Sequence, residues 1–265
     1  MHALCRTIRF AINASPRNPS AFHNGYGGFP PVMGFGSVHE LDITCEGELG
    51  RDTGYLIDIK AIDRAARSTV VPALTRVRIE HPTHDPAALL AACASQLADA
   101  LPVSLQKICW RLSPYFSLEY AMNDPGIVLM RQAFEFCAGH RLHNESLSPE
   151  ENRRLFGKCN NMSGHGHNYK LEPEIVVNLS MPEERRLSMP ILEEIVEKHV
   201  LARFDHRNLN TDTEEFADGK GLNPTVEHIA MVCYQLLVEP VKAGGATLQR
   251  VTVWESDRTS GIYPA

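Results

Sequence analysis

The chain has 265 residues, 43% hydrophobic and 22% charged, enough for one large domain or two of ordinary size and without the bias of a disordered chain. Its 26 lysines and arginines against 32 acids leave a formal charge of -6, so it lacks the cation excess of a general nucleic-acid binder. No apolar run approaches the ~20 residues that span a bilayer, and the opening MHALCRTIRFAINAS has no secretion-signal core, so a cytoplasmic protein without membrane or nucleic-acid partners is expected.

The seven cysteines form no CxxC pair, which fits reduced thiols better than a disulfide framework. Cys5, Cys45, Cys93, Cys109 and Cys233 lie in apolar or alternating stretches and are expected in the core, and Cys137 is assigned to packing.

In chain order, alternation predicts a strand over residues 7–13, a glycine-containing loop and a strand over 39–46. A helix is expected over 59–74, and another begins at Asp85, an N-cap before Pro86. A strand pair, 107–112 with 115–120, closes this half. The turn-rich AMNDPG at 121–126 then links two units, 1–123 and 124–265. The second half repeats the order: strands over 132–138 and 168–178, helices over 189–204 and from Asn223, and strands over 250–255 and 261–263. Each unit reads β-β-α-α-β-β, an α+β fold with a four-stranded antiparallel sheet and two helices on one face.

Four ordered matches support a duplication. FAINAS (10–15) resembles FEFCAG (134–139), and GFGSVHEL (34–41) lies over GHGHNYKL (164–171). Residues 85–101 parallel 223–238, and LQKICWRL (105–112) overlays LQRVTVWE (248–255).

The chemistry is confined to the second unit. His165 and His167 are two apart, so an extended strand points both to one face. His140, at the end of the preceding strand, offers a third imidazole. Three neutral imidazoles with an open fourth position are a catalytic zinc arrangement. A lone His-x-His is ordinarily a satisfied surface pair; the third histidine and a nearby thiol raise this one above that. In the first unit Phe35 and Ser37 stand where the second has His165 and His167, and Pro16 stands opposite His140. The nearest histidines there, His23 and His39, fall out of register.

Cys159 lies six residues before His165, in a polar loop beside Lys158; a nearby cation or metal increases thiolate character. Asp205 and His206 would ordinarily be a helix-end pair, but beside a zinc site and a thiol they can form a proton relay. Glu255, at the end of a strand and opposite Leu112 of the first unit, could accept two N–H donors from a guanidine-like ring edge. Glu227, in the first turn of a helix, has the alternative role of complementing the helix dipole.

These residues resemble the 6-pyruvoyl-tetrahydropterin synthases. The resemblance is carried by FEFCAGHRL, LSPEENRRLFGKCNNMSGHGHNY, FDHRNLN, NPTVEHIA and VTVWESD, which span most of residues 129–265. It implies a tunnelling fold, His140, His165 and His167 as zinc ligands, Cys159 as base and Asp205 with His206 as its partners. Glu255, with Thr225 and Glu227, would hold the pterin. The implied reaction converts 7,8-dihydroneopterin triphosphate to 6-pyruvoyl-tetrahydropterin with release of triphosphate, and Lys158 and Arg141 could neutralise that triphosphate or lie solvated. No nicotinamide or flavin is required, and no glycine-rich dinucleotide fingerprint is present. The related 6-carboxy-tetrahydropterin synthases typically have C-x3-H-x-H, whereas this chain has C-x5-H-x-H. The alternatives are that carboxy type or a side-chain-cleaving lyase, and, in another class, a non-catalytic pterin- or metal-binding scaffold.

The family commonly has serine or alanine where this chain has Gly139, and it is usually single-unit. In it three units close a barrel and two barrels stack. Because the first unit lacks counterparts of Asp205, His206 and Glu255, the expected assembly is a homotrimer, with one barrel of C-terminal units and another of N-terminal units. The rival is a four-unit barrel shared by two chains.

Overall fold

Residues 1–13, 30, 32 and 34–265 are described by the structure, a computed structural model; Pro16 and His23 lie outside the described residues. The chain forms two compact units, Met1–Met130 with Val177–Glu184, and Arg131–Val176 with Arg185–Ala265.

In the first unit alternating residues build β1 (His2–Ile12) and β2 (Ser37–Gly47), followed by α1 (Ile59–Ser68), α2 (Val70–Glu80) and α3 (Pro86–Ala100). The hairpin of β3 (Ser104–Ser113) and β4 (Phe116–Ala121) follows, and the sheet runs β1-β2-β3-β4, antiparallel throughout. Period-2 placement buries Ile8, Phe10, Leu41, Ile43, Ile108 and Trp110, while the helices bury Ile62, Leu74, Leu90 and Leu97. The opposite face is polar: Arg9 and Arg111 both hold Glu40, and Arg111 also pairs with Asp42.

The single helix expected over 59–74 is two helices meeting at Thr69. The Ser68 and Thr69 hydroxyls both donate to the Ala65 carbonyl, at 3.0 and 2.7 Å, competing with the helical ladder. Pro72 also lacks the N–H that would continue that ladder. Among the described residues the first unit therefore carries three helices where two were expected.

His39 is buried in this unit, stacked on Phe10 with ring centroids 5.5 Å apart. Trp110 Nε1 donates to its Nδ1 at 3.3 Å, which leaves Nε2 to donate to the Ser37 hydroxyl at 2.7 Å. Burial, aided by Arg78, lowers its pKa from 6.5 to about 4. The unfolded chain therefore binds the extra proton first, so stability present above pH 6.5 is lost as pH falls toward 4, by up to about 3 kcal/mol. Urea titrations followed by Trp110 fluorescence, in a Trp254→Phe background, should show this slope. His39→Gln should flatten it, and an identical slope in that variant would remove His39 as the cause.

β5 (Ile127–Gln132) crosses the division between the units, and β6 (Phe134–His140) opens the second. Residues 132–138 were expected to be one strand, but the pairing breaks at Ala133. Val128, Met130, Gln132, Phe136, Ala138 and His140 are buried and Phe134 is half-buried, so apolar residues keep the same parity across the junction and gave no sign of it. Next come α4 (Pro149–Phe156), a 3-10 turn (Gly157–Asn160) and β7 (His165–Asn178). α5 (Met189–Val196), a π-helical segment (Glu197–Leu201) and α6 (Ala202–Phe204) together cover the expected helix over 189–204. β8 (Arg207–Asn208), α7 (Leu209–Asp212), α8 (Val226–Ala243), β9 (Thr247–Ser256) and β10 (Thr259–Tyr263) complete the chain. β6, β7, β9 and β10 pair antiparallel in that order, and β8 runs parallel along the other edge of β6.

α8 is capped by Thr225, whose hydroxyl accepts from the His228 N–H at 3.4 Å, two residues beyond Asn223, where the helix was expected to begin. Asn223 is occupied elsewhere: its side chain accepts from His143 N–H and its carbonyl from His228 Nδ1. Among the cysteines, Cys45, Cys93 and Cys233 are buried as expected, whereas Cys5 is exposed and Cys109 half-buried. Cys137 is also exposed, because period 2 sends Phe136 and Ala138 inward and turns it outward.

Candidate metal centre

The strand register assembles the centre. In the β6–β7 ladder His140 pairs with His165 and Ala138 with His167, so all three imidazoles share one sheet face. Gly164 makes this pairing feasible: its φ is +64°, and a Cβ there would lie 2.8 Å from the His140 carbonyl oxygen. β9 supplies Glu255, two residues beyond Val253 on the same inward-facing series.

One ligand atom from each of His140, His165, His167 and Glu255 can be chosen so that all lie within 4.8 Å of one another. His140 Nε2 stands 3.1 Å from His165 Nε2 and 3.3 Å from Glu255 Oε1, and His167 Nε2 is 3.2 Å from that same oxygen. Donors held ~2.0 Å from a tetrahedral zinc lie about 3.3 Å apart, so these separations fit the ion. His140 is fully buried, and its Nδ1 donates to the Pro224 carbonyl at 2.8 Å, which fixes the tautomer and aims the Nε2 lone pair into the cluster. His167 Nε2 is buried without a hydrogen-bond partner, an orphan that a metal would satisfy.

Burial lowers the pKa of both His140 and His167, opposed at His140 first by the Pro224 carbonyl and at His167 by Glu255, which favours the neutral rings that metal ligation requires. Burial followed by the Glu255 charge raises the Cys159 thiol, opposite to the activation expected from Lys158. A cation in the cluster would reverse the Glu255 contribution. The Leu142 N–H donates to the Cys159 carbonyl at 2.8 Å, tying the thiol's loop to the segment after His140.

Asp205 and His206 stand at a different place. Asp205 Oδ1 accepts from the Cys137 N–H at 2.8 Å, and its Oδ2 pairs with His206 Nδ1 at 2.8 Å. The His206 N–H donates to the Cys137 carbonyl at 2.6 Å. The pair thus sits on the outer edge of β6, three residues and ~10 Å of strand from His140. The Cys137 N–H, with help from His206, lowers the Asp205 pKa, and the His206 side chain is 81% exposed. His206 itself has a φ of 56°, a conformation unusual for a side-chain-bearing residue. Thr225 caps α8, and Glu227 is exposed in its first turn.

Two features escaped the sequence reading. Glu255 lies among the imidazoles, and Tyr169, next in the series after His165 and His167, is fully buried with a partnerless hydroxyl. It stacks on Phe136 at 5.0 Å and meets His167 edge-on at 5.5 Å. Strand parity alone would have placed Tyr169 on the metal face. Gly139 is no obstacle to the likeness, since a Cβ there would make only an ordinary 3.6 Å contact.

The 6-pyruvoyl tetrahydropterin synthase family matches the chain over residues 129–265, the segment that holds the whole centre. The 6-pyruvoyl tetrahydrobiopterin synthase of Homo sapiens is 35% identical over 128 residues, covering 48% of this chain and 85% of the human protein. That of Drosophila melanogaster is 38% identical over 114 residues, covering 42% and 64% of the two chains. The solved 6-pyruvoyl tetrahydropterin synthase of Caenorhabditis elegans is 34% identical, with a TM-score of 0.47 over 52% of this chain and 94% of its own. Among the described residues no helix is long and apolar enough to cross a membrane. By the match over residues 129–265, the chain belongs to the 6-pyruvoyl tetrahydropterin synthase family.

Proposed function

We propose that the second unit is a zinc-dependent enzyme that converts 7,8-dihydroneopterin triphosphate to 6-pyruvoyl-tetrahydropterin with elimination of triphosphate. The observation that carries this reading is the convergence of His140, His165 and His167 on one point in a chain of this family. Zinc held there would supply a Lewis acid that acidifies a side-chain hydroxyl and polarises a carbonyl. Cys159 moves protons at the neighbouring side-chain carbons. Glu255 accepts the N–H edge of the pterin, three imidazoles being enough for an open catalytic site. Thr225 and Glu227, at the start of α8, are proposed as further pterin contacts.

Asp205 and His206 are tied to the edge of β6 and not to the cluster. Their exchange with a thiol is therefore proposed to occur between neighbouring copies, in a homotrimer whose C-terminal units close one barrel. The N-terminal unit is read as a degenerate duplicate. Leu41 pairs with Ile8 and Trp110 as Leu171 pairs with Phe134 and Val253, and Phe10 stacks on His39 as Phe136 does on Tyr169, a register that sets Phe10 level with Phe136 and not, as the FAINAS–FEFCAG overlay had it, with Phe134. Its place in the assembly would be the second barrel. The C-x5-H-x-H spacing favours the pyruvoyl reaction over the carboxy type. The test is release of triphosphate from 7,8-dihydroneopterin triphosphate, one per pterin consumed, lost on chelation and restored by zinc. Consumption that proceeds unchanged after the metal is stripped would defeat the proposal.

A further inference from the structure

The three imidazoles are not anchored alike. His165 and His167 open β7, and the strand continues beyond them, whereas His140 is the last residue of β6 and its ladder ends there. The chain beyond His140 is nevertheless bonded at each step. The Arg141 N–H donates to Asn210 Oδ1 at 2.7 Å, and the Arg141 carbonyl accepts from Asn210 Nδ2 at 3.1 Å. The Leu142 N–H donates to the Cys159 carbonyl at 2.8 Å, and the Leu142 carbonyl accepts from Asn160 Nδ2 at 2.7 Å. The His143 N–H donates to the Asn223 side chain at 3.2 Å.

The bonds to Asn210 follow from the register. β8 runs parallel to β6 with Ala138 opposite Arg207 and Gly139 opposite Asn208, so two residues further on Asn210 comes level with Arg141. By then the chain has turned into α7 and offers no extended backbone. A carboxamide presents one acceptor and one donor group, as a peptide unit does, so the Asn210 side chain continues the ladder by one rung. It is 6% exposed and lies 69 residues from Arg141 in sequence. Asn210 is itself held: its Nδ2 also donates to Asp218 Oδ1 at 2.9 Å, and its carbonyl accepts from the Asp218 N–H at 3.0 Å. The loop that carries Asp218 is closed by the Leu222 N–H on the Glu215 carbonyl at 2.8 Å and the Gly221 N–H on the Ala217 carbonyl at 2.7 Å. A Cβ at Gly221 would lie 2.5 Å from the Ala217 nitrogen, so the turn closes without room for a side chain. Asn223 and Pro224 follow directly, the first on the His143 N–H and the second on His140 Nδ1.

We propose that Asn210 is a positioning residue of the centre: by bonding both backbone groups of Arg141 it holds the adjoining His140 opposite His165, so that affinity for zinc depends on its carboxamide. The choice of metal rests on the function proposed above. Alanine can make neither bond to Arg141, and an ionised aspartate can only accept.

The test is a zinc titration of the metal-free full chain in competition with a chromophoric chelator, with thermal unfolding of each metal-free protein. The chains compared are the native one, Asn210→Ala, Asn210→Asp and the control Asn152→Ala. Asn152 is likewise a buried carboxamide, but it donates to the carbonyls of Asn144, Leu147 and Ser148, all outside residues 140–143. Asn210→Ala should weaken zinc binding about 10–100-fold, the usual effect of removing a group that orients a metal ligand. Asn210→Asp, which keeps the bond from the Arg141 N–H, should weaken it by less. Asn152→Ala should lower the unfolding temperature and leave zinc affinity unchanged. Unchanged affinity in Asn210→Ala, or in Asn210→Asp should the alanine variant not fold, would overturn the proposal. An equal loss in Asn152→Ala would do the same, since the effect would then be general destabilisation. A chain whose zinc affinity depends on Asn210 but which does not turn over 7,8-dihydroneopterin triphosphate would fail the reaction and keep the positioning role. Turnover by a chain whose zinc affinity ignores Asn210 would keep the reaction and fail that role, and a native chain that takes no zinc would overturn both.

Discussion

Replacing His165 with alanine should lower zinc from about one per chain to near zero and abolish turnover, while the metal-free fold keeps its stability within about 1 kcal/mol. The ring lies on a strand whose ladder is made by backbone atoms, so its loss empties a coordination position without removing a buried apolar contact. The stoichiometry follows from the first unit, where Phe35 and Ser37 replace the two imidazoles and His39 is already engaged by Trp110 and Ser37. Metal analysis and thermal unfolding of native and variant chains are the measurements. Two tightly held zinc ions per chain would contradict the single-site account. The role of Glu255 is read from the same assay: Glu255→Gln should retain zinc if the carboxylate serves the pterin, and should lose it if the carboxylate is a ligand.

Cys159→Ala should retain zinc yet lose turnover by about 10²–10⁴-fold, the usual contribution of a positioned acid–base group. The thiol is not among the four side chains that converge as potential ligands. Its pKa is raised by burial and by Glu255, so its activation is expected to depend on the cation that offsets Glu255. The rate of alkylation by iodoacetamide should therefore rise when zinc is added to the metal-free protein. Loss of zinc in Cys159→Ala would place the thiol in the coordination shell and undo its assignment as base.

The histidine face was readable because a strand has one simple rule, period 2, and the three histidines obey it. The same rule could have found Tyr169, which continues the series from His165 and His167, and could have turned Cys137 outward between Phe136 and Ala138. Apolar neighbours outweighed parity in that assignment. Glu255 could be recognised as a polar strand-end residue, but its approach to His140 and His167 depends on the β7–β9 register, a long-range pairing that local pattern does not specify. Thr69 and Thr225 show the same limit for helices. Ser68 and Thr69 turn back onto Ala65, and Asn223 spends its capping groups on His143 and His228. Such competition for hydrogen bonds is settled by tertiary neighbours. The separation of Asp205 and His206 from the cluster likewise follows from β8 pairing along β6, two residues long and too short to signal itself.

The most direct test of the central claim is the mass spectrum of the pterin formed by the zinc-loaded chain from 7,8-dihydroneopterin triphosphate. The account predicts a product that has lost triphosphate and retains every side-chain carbon, as 6-pyruvoyl-tetrahydropterin does. A carboxy- or hydroxymethyl-pterin, or recovery of unchanged substrate, would contradict it.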